Sequence, residues 1–444
     1  MYDTVSQYDQ VLSNDVTDWH PPVMVRLWQV LHRLASGTEP MFVLQVALYA
    51  VGFALIVAAL VRSGRWRSAI AAAVLALSPL LIGWHMVVLK DAQMLAALFA
   101  AVGIVAHFRL GGRRVPILLA AAATLLIAYA TLVRANALFA TVPLVIFLLP
   151  RPQGLIGRAA LGLAAMAILI AATPIIDQRL FRAEPSGVAK SQPLFDLAAI
   201  AVRTPNPWPF TRTEGAQIAR RHCVKAFFWD PLGEPSACEP VTERLDDASE
   251  RLLYLDLMRA AAAHPLLYAE HRLRHWNSTE RWLVQPNLPE AAPPDEAEDN
   301  DLGLRTPPNP LMPGWQSVAA VEAGTPLGWP MLWTTIALLV VPAAWRRRIE
   351  PAGSLALALL ASALTLELSF LVISIASDLR YHLWPMTASA LALILLADDL
   401  RLGRTERIAG ATAVALVIAG GLVTRATLPP APDGYEAMIA APSG

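Results

Sequence analysis

MFVLQVALYAVGFALIVAALV, residues 41–61, runs without one charged side chain, and its length decides the fold class. A helix rises 1.5 Å per residue, so about 20 apolar residues cross about 30 Å of hydrocarbon. Working outward, further apolar segments fall near 69–89, 92–108, 115–133, 136–149, 155–176, 327–345, 354–376, 383–397 and 408–424. Of the 444 residues, 56% are hydrophobic and only 16% are Asp, Glu, Lys or Arg, against roughly 25% in soluble proteins. The expected fold is therefore an all-α polytopic membrane protein with about ten transmembrane helices. The 35 basic and 35 acidic residues cancel, so the composition gives no sign of a nucleic-acid binder, which carries a basic excess.

Orientation follows from the short loops, because loops rich in Lys and Arg stay on the cytoplasmic side. Five junctions are basic: Arg62, Arg65 and Arg67; Arg109, Arg113 and Arg114; Arg151 and Arg158; Arg346, Arg347 and Arg348; Arg401, Arg404 and Arg407. An even number of crossings separates each from the next, so the topology closes. The chain divides into an external segment 1–40, a six-span region 41–176, a mainly helical external domain 177–326, a four-span region 327–425 and an external tail 426–444. The expected location is the plasma membrane, the inner one in a bacterium, with the large domain on the external, periplasmic side. Cys223 and Cys238 both fall in that domain, fifteen positions apart; on an oxidising side a disulfide is the economical reading.

The first 40 residues hold the densest chemistry. In YDTVSQYDQVLSN, Val5, Tyr8 and Leu12 recur at helical spacing with Ser6, Gln7 and Gln10 opposite, which predicts a short helix on the membrane surface. Asp3 opens that helix, where an N-cap role is the plainest reading. Pro21 and Pro22 then start a second interfacial helix. It has Leu27, Val30, Leu31 and Leu34 on one face, Arg26, Gln29 and Arg33 on the other, and Trp28 as a headgroup anchor. Asp3, Asp15, Asp18 and His20 are thereby expected near the bilayer surface. On the same side the short turns at Lys90–Asp91, Arg134–Asn136 and Ser377–Tyr381 each carry a cation against the positive-inside bias. Three such turns on one face favour a shared anionic ligand.

Taken in order, YDTVSQYDQ, DWHPP, LKDAQM, VRANALF and SDLRYHLWP resemble the GT-C class of membrane glycosyltransferases, such as protein mannosyltransferases and aminoarabinose transferases. The order and sidedness of these motifs carry the resemblance, over roughly two-thirds of the chain. It implies transfer of a sugar from a polyprenyl-phosphate or polyprenyl-pyrophosphate donor to a saccharide, lipid or protein acceptor at the external face. Asp3 stands where that class places a catalytic base or metal ligand. Asp18, His20 and Asp91 are further catalytic candidates, and Lys90, Arg134, Arg380 and Tyr381 are candidates for the donor phosphate. A divalent cation, Mg or Mn, on Asp3 and Asp91 is the cofactor to look for. The sequence departs from the pattern in one respect. No span precedes Asp3, so either the native start lies upstream and supplies it or that helix is absent.

Other constellations are thinner. His271 and His275 at i and i+4, with His264 before them, have a spacing that can hold zinc, on a helix expected over 264–284. Asn277, Ser278 and Thr279 form a short glycosylation pattern. Glu290 to Asp301, acidic among Pro and Ala, reads as a mobile solvated loop that could shield a site. No Walker loop, GxGxxG or GxSxG follows an expected strand. The principal rival is a lipid-linked sugar flippase or transporter without catalysis, which would place charged turns along a translocation path. A non-catalytic scaffold acting through the external domain is the other.

Overall fold

The computed structural model describes residues 2–149, 154–305 and 309–441, and among them regular structure is helical, with no strand beyond two isolated bridges. Arg151, one of the basic-junction residues, lies outside the described residues. The first half comprises α1 (Tyr2–Ser13), α2 (Pro22–His32), α3 (Glu39–Arg62), α4 (Trp66–Ala76), α5 (Pro79–His85), α6 (Lys90–Arg109), α7 (Ile117–Leu132), α8 (Leu138–Leu148) and α9 (Leu155–Ile175). A polar domain follows, with α10 (Ser191–Ala201), α11 (Arg212–Arg220), α12 (Glu239–Thr242), α13 (Glu250–Ala263), α14 (Pro265–Thr279) and α15 (Leu311–Gly324). The chain returns to apolar helices in α16 (Pro330–Arg346), α17 (Pro351–Ile373), α18 (Leu383–Ala397) and α19 (Arg404–Thr427), and closes with α20 (Tyr435–Ala440).

Among the described residues six helical stretches are long and apolar enough to cross a bilayer: α3, α6, Leu155–Leu180, α17, Leu379–Ala397 and α19. The molecule is a helical membrane protein. Helices α7, α8 and α16 are apolar but shorter, and the segment expected as one span over 69–89 is instead a pair, α4 and α5, bent by 49°. Pro79 accounts for the break, because it has no N–H to continue the ladder. Ser78 then caps α5, its Oγ accepting from the Leu81 N–H at 3.4 Å and donating to Glu322 at 2.9 Å. The broken span is thereby bound to α15 of the polar domain.

Burial separates the apolar helices into a centre and a rim. In α6 83% of the apolar window is buried, against 6% in Leu155–Leu180 and 11% in α19, so these last two present their sides to lipid. Helix α6 meets α3 in direct backbone contact. A Cβ on Gly52 would lie 2.4 Å from the Phe99 carbonyl carbon, and one on Gly103 2.5 Å from the Gly52 oxygen, the close approach that small residues allow between membrane helices. The crossing is pinned at its upper end by amides. Gln45 donates to the carbonyls of His85 (2.8 Å) and Val87 (2.9 Å), and Gln93 donates to Gln45 at 3.0 Å. Lys90 and Asp91 emerge from this fixed corner.

The two N-terminal segments are helical as expected, but their faces differ from the sequence reading. In α1 the buried face is mixed: Gln7 and Gln10 are buried together with Tyr8 and Val11, while Leu12 is exposed. In α2 the buried residues are Met24, Val25 and Trp28, whereas Val30 and Leu34 are exposed. Trp28 is not a headgroup anchor. Its indole is fully buried, stacks on Tyr8 at 5.3 Å and donates to the Gly37 carbonyl at 3.0 Å. Helix α2 is apolar on two sides, and the side with the larger ring packs on protein.

In the polar domain the disulfide joins Cys223 and Cys238, inside an apolar cluster that includes Phe195, Ile218 and Leu253. The helix expected over 264–284 ends at Thr279, and Arg281 takes a left-handed turn (φ 51°). Arg272 bolts α14 to the end of α17, donating to the carbonyls of Leu371 (2.9 Å) and Ser374 (3.0 Å) while pairing with Asp196 at 2.9 Å. The tail also returns to this domain, where Met438 and Ile439 pack on Phe227 and Phe228.

Candidate functional site

Three separate turns converge on one cluster. Asp3, in the first turn of α1, lies 3.5 Å from Lys90 Nζ and 3.2 Å from Arg380 Nη1. Asp91 is paired with Arg134 and stands 3.7 Å from Arg380 Nε. Arg380 also meets Asp378 at 2.8 Å. Tyr381 lies under both guanidiniums, its ring centre 3.9 Å from Arg134 Cζ and 5.4 Å from Arg380 Cζ. The side chains of all these charged residues are four-fifths or more buried.

Each member is placed by a local reason. Thr4 donates to the Val88 carbonyl at 3.0 Å, which docks the start of α1 on the turn before Lys90. Arg134 is oriented by Asn136, accepting from Nε at 2.6 Å. The Arg380 turn rests on a buried pair beneath it, His382 Nδ1 to Glu367 Oε2 at 2.7 Å. Burial alone would raise the Asp3 carboxyl, but Lys90 and Arg380 outweigh it and hold Asp3 well below the usual carboxylate range. Burial lowers the Arg134 guanidinium to about 10, which leaves it cationic at neutral pH. His20 borders the same cluster, sharing a 3.1 Å hydrogen bond between Nε2 and Ser6 Oγ. Burial and the Lys90 charge lower its imidazole to about 4, so it is neutral at pH 7.

The structure therefore brings together Asp3, Asp91, Lys90, Arg134, Arg380 and Tyr381, with His20 at the edge. Asp18 lies apart: it accepts from the Ser186 N–H at 2.6 Å and hydroxyl at 2.5 Å, tying the segment after α9 to the turn before α2. Asp3 spends its carboxylate on cations rather than on capping α1. No group of three or more metal-ligating side chains is arranged around an ion among the described residues, Asp3 and Asp91 included. The histidines of α14 have other partners. His271 bonds Asp196 at 3.0 Å, and His275 donates to the Ala226 carbonyl at 2.7 Å. Asn277 bonds the backbone of Leu283 through both ends of its amide.

Sequence reasoning missed three features of the site. Glu290, assigned to a mobile loop, is pinned: its carbonyl accepts from the Leu379 N–H at 2.9 Å, its φ is 57°, and Arg281 holds the preceding carbonyls of Leu288 and Pro289. Asp230 lies near Asp378, and burial with that charge raises its carboxyl to about 7. Gln7 and Ser6 lie on the face of α1 that carries Asp3, a register the i, i+3, i+4 pattern contains once the helix is known to face inward. For Glu290 and Asp230 no local pattern exists.

The chain matches no protein-family model, and no curated protein or solved structure is detectably similar to it.

Proposed function

We propose that this protein is a membrane glycosyltransferase of the GT-C kind. It would take a sugar from a polyprenyl-phosphate-linked donor and pass it to a saccharide, lipid or protein acceptor at the external face, with ten crossings in all. The observation that carries the reading is the meeting of Lys90, Arg134 and Arg380, from three turns far apart in sequence, around two buried carboxylates, Asp3 with Lys90 and Arg380 and Asp91 with Arg134. In the transfer the acceptor oxygen bonds to the anomeric carbon as the bond from that carbon to the phosphate oxygen breaks. The departing electron pair stays on the phosphate, and Lys90, Arg134 and Arg380 stabilise it there. The acceptor proton goes to Asp3 as general base.

The electrostatics add a step to this scheme. With the donor absent, Lys90 and Arg380 are satisfied by Asp3 and hold it in a weakly basic state. A donor phosphate competes for the same cations. As it draws them away, Asp3 loses its stabilising charges and becomes a stronger base, so donor binding prepares the base for the acceptor.

The test is turnover of a radiolabelled polyprenyl-phosphate sugar by the purified protein with candidate acceptors. Product formation supports the reading. Saturable binding of polyprenyl phosphate with no turnover supports the second reading, a lipid-linked sugar flippase, whose single favouring observation is the bent α4–α5 pair.

A further inference from the structure

A second basic site lies away from the cluster, in the polar domain. A cavity of about 280 Å³ opens between the end of α10, α11, the segment 222–226 and α14. Its charged lining is entirely basic: Arg203, Lys225 and Arg274, with the imidazoles of His222 and His271, and no Asp or Glu. The nearby carboxylates are already shared. Glu270 is divided between Arg203 (2.7 Å) and Arg274 (2.9 Å), and Asp196 between Arg272 (2.9 Å) and His271 (3.0 Å). Among the described residues Lys225 is left with none. It is 6% exposed, its ammonium donates to the Ala441 carbonyl, and among the described residues no carboxylate forms an ion pair with it.

Three cations, Arg203, Arg274 and Lys225, thus line the cavity against one shared carboxylate, Glu270, and the buried Lys225 charge is costly without a counter-charge. Burial lowers the Lys225 ammonium pKa, as expected for a cation short of an anion. The walls are fixed beforehand. Cys223 is held by its disulfide and Ala226 by His275, so the Lys225 segment is secured on both sides.

We propose that this cavity binds a phosphomonoester, its dianionic group held between Lys225, Arg203 and Arg274. A phosphomonoester carries about −1.5 to −2 charges at neutral pH, which matches the local surplus. The volume leaves room for the first atoms attached to the phosphate. Because Arg272 bolts α14 to the end of the span α17, the ester can come from a soluble phosphate or from a lipid headgroup. The chemistry recognised is the same.

The test uses the full chain in nanodiscs of phosphatidylcholine, titrated with glycerol 3-phosphate by calorimetry. Saturable binding is expected, weakened about tenfold by either Lys225→Met or Arg274→Gln, each removing one charge-assisted contact. Arg274 is half-exposed, so its variant keeps the test informative if Lys225→Met loosens the tail. Discs of phosphatidic acid separate the sources: suppression of glycerol 3-phosphate binding assigns a headgroup, and unchanged binding assigns a soluble ester. Absence of binding in phosphatidylcholine discs would overturn the proposal. So would binding that survives both variants, or binding that is lost in Arg380→Gln alone, which would belong to the membrane-surface cluster.

Discussion

Two charged networks in this molecule are built from the same residue types and differ in how tightly they hold their central carboxylate. Around Asp196 the bonds are short and saturated: Gln192 donates at 2.6 Å, Arg272 at 2.9 Å and His271 bonds at 3.0 Å, and Arg272 spends its remaining donors on the end of α17. Around Asp3 the contacts are looser. Lys90 stands off at 3.5 Å and Arg380 at 3.2 Å, although Arg380 meets Asp378 at 2.8 Å and Arg134 is closely paired with Asp91. A saturated buried network fixes geometry. A carboxylate held at longer range can exchange partners, which is what the proposed phosphate site requires.

The sharpest way to break it is Asp3→Asn. Transfer of a labelled lipid-linked sugar should fall about 10²- to 10⁴-fold. Binding of polyprenyl phosphate should hold or tighten, since the competing carboxylate is gone; unimpaired turnover would remove Asp3 from the mechanism. Next come Lys90→Gln and Arg380→Gln, each expected to cost about 10²- to 10³-fold in turnover together with donor affinity, read from kcat and KM of the same assay. Asp196→Asn should do the opposite. It leaves Arg272 buried without its anion and should cost about 3 kcal/mol of stability, seen in thermal unfolding, with turnover per folded molecule unchanged. A large loss of turnover there would erase the distinction between the two networks.

The smallest effect concerns His20. Its imidazole sits at about 4 in the folded chain against 6.5 when free. As pH falls below 6.5 the unfolded chain takes the proton first, so stability held above 6.5 is lost by about 1.4 kcal/mol per pH unit down to 4. His20→Asn should flatten that part of the stability profile, measured as melting temperature from pH 7 to pH 4. An unchanged slope would mean His20 is not buried against the cluster.

Much of the fold was legible because a membrane span is written in composition. The uncharged run at 41–61 and its successors are helical, and the surface helices at 2–13 and 22–32 fall where Pro21, Pro22 and the apolar spacing put them. The kink at Ser78–Pro79 was legible in principle, since Pro79 carries it. Facing was not. An amphipathic pattern says which sides of a helix differ, not which side packs on protein, so Gln7 was turned outward and Trp28 was assigned to the headgroups. The convergence of Lys90, Arg134 and Arg380 was readable because a cation in a short turn opposite the basic loops demands a partner. Glu290 and Asp230 were not, because long-range packing alone brings them close.

The most direct test of the phosphate clamp is an electron cryo-microscopy structure of the protein with polyprenyl phosphate bound in a nanodisc. The expected result is a phosphate within hydrogen-bond distance of at least two of Lys90, Arg134 and Arg380, with the Asp3 carboxylate released from them. A phosphate bound elsewhere, with Asp3 still paired to Lys90 and Arg380, would contradict it.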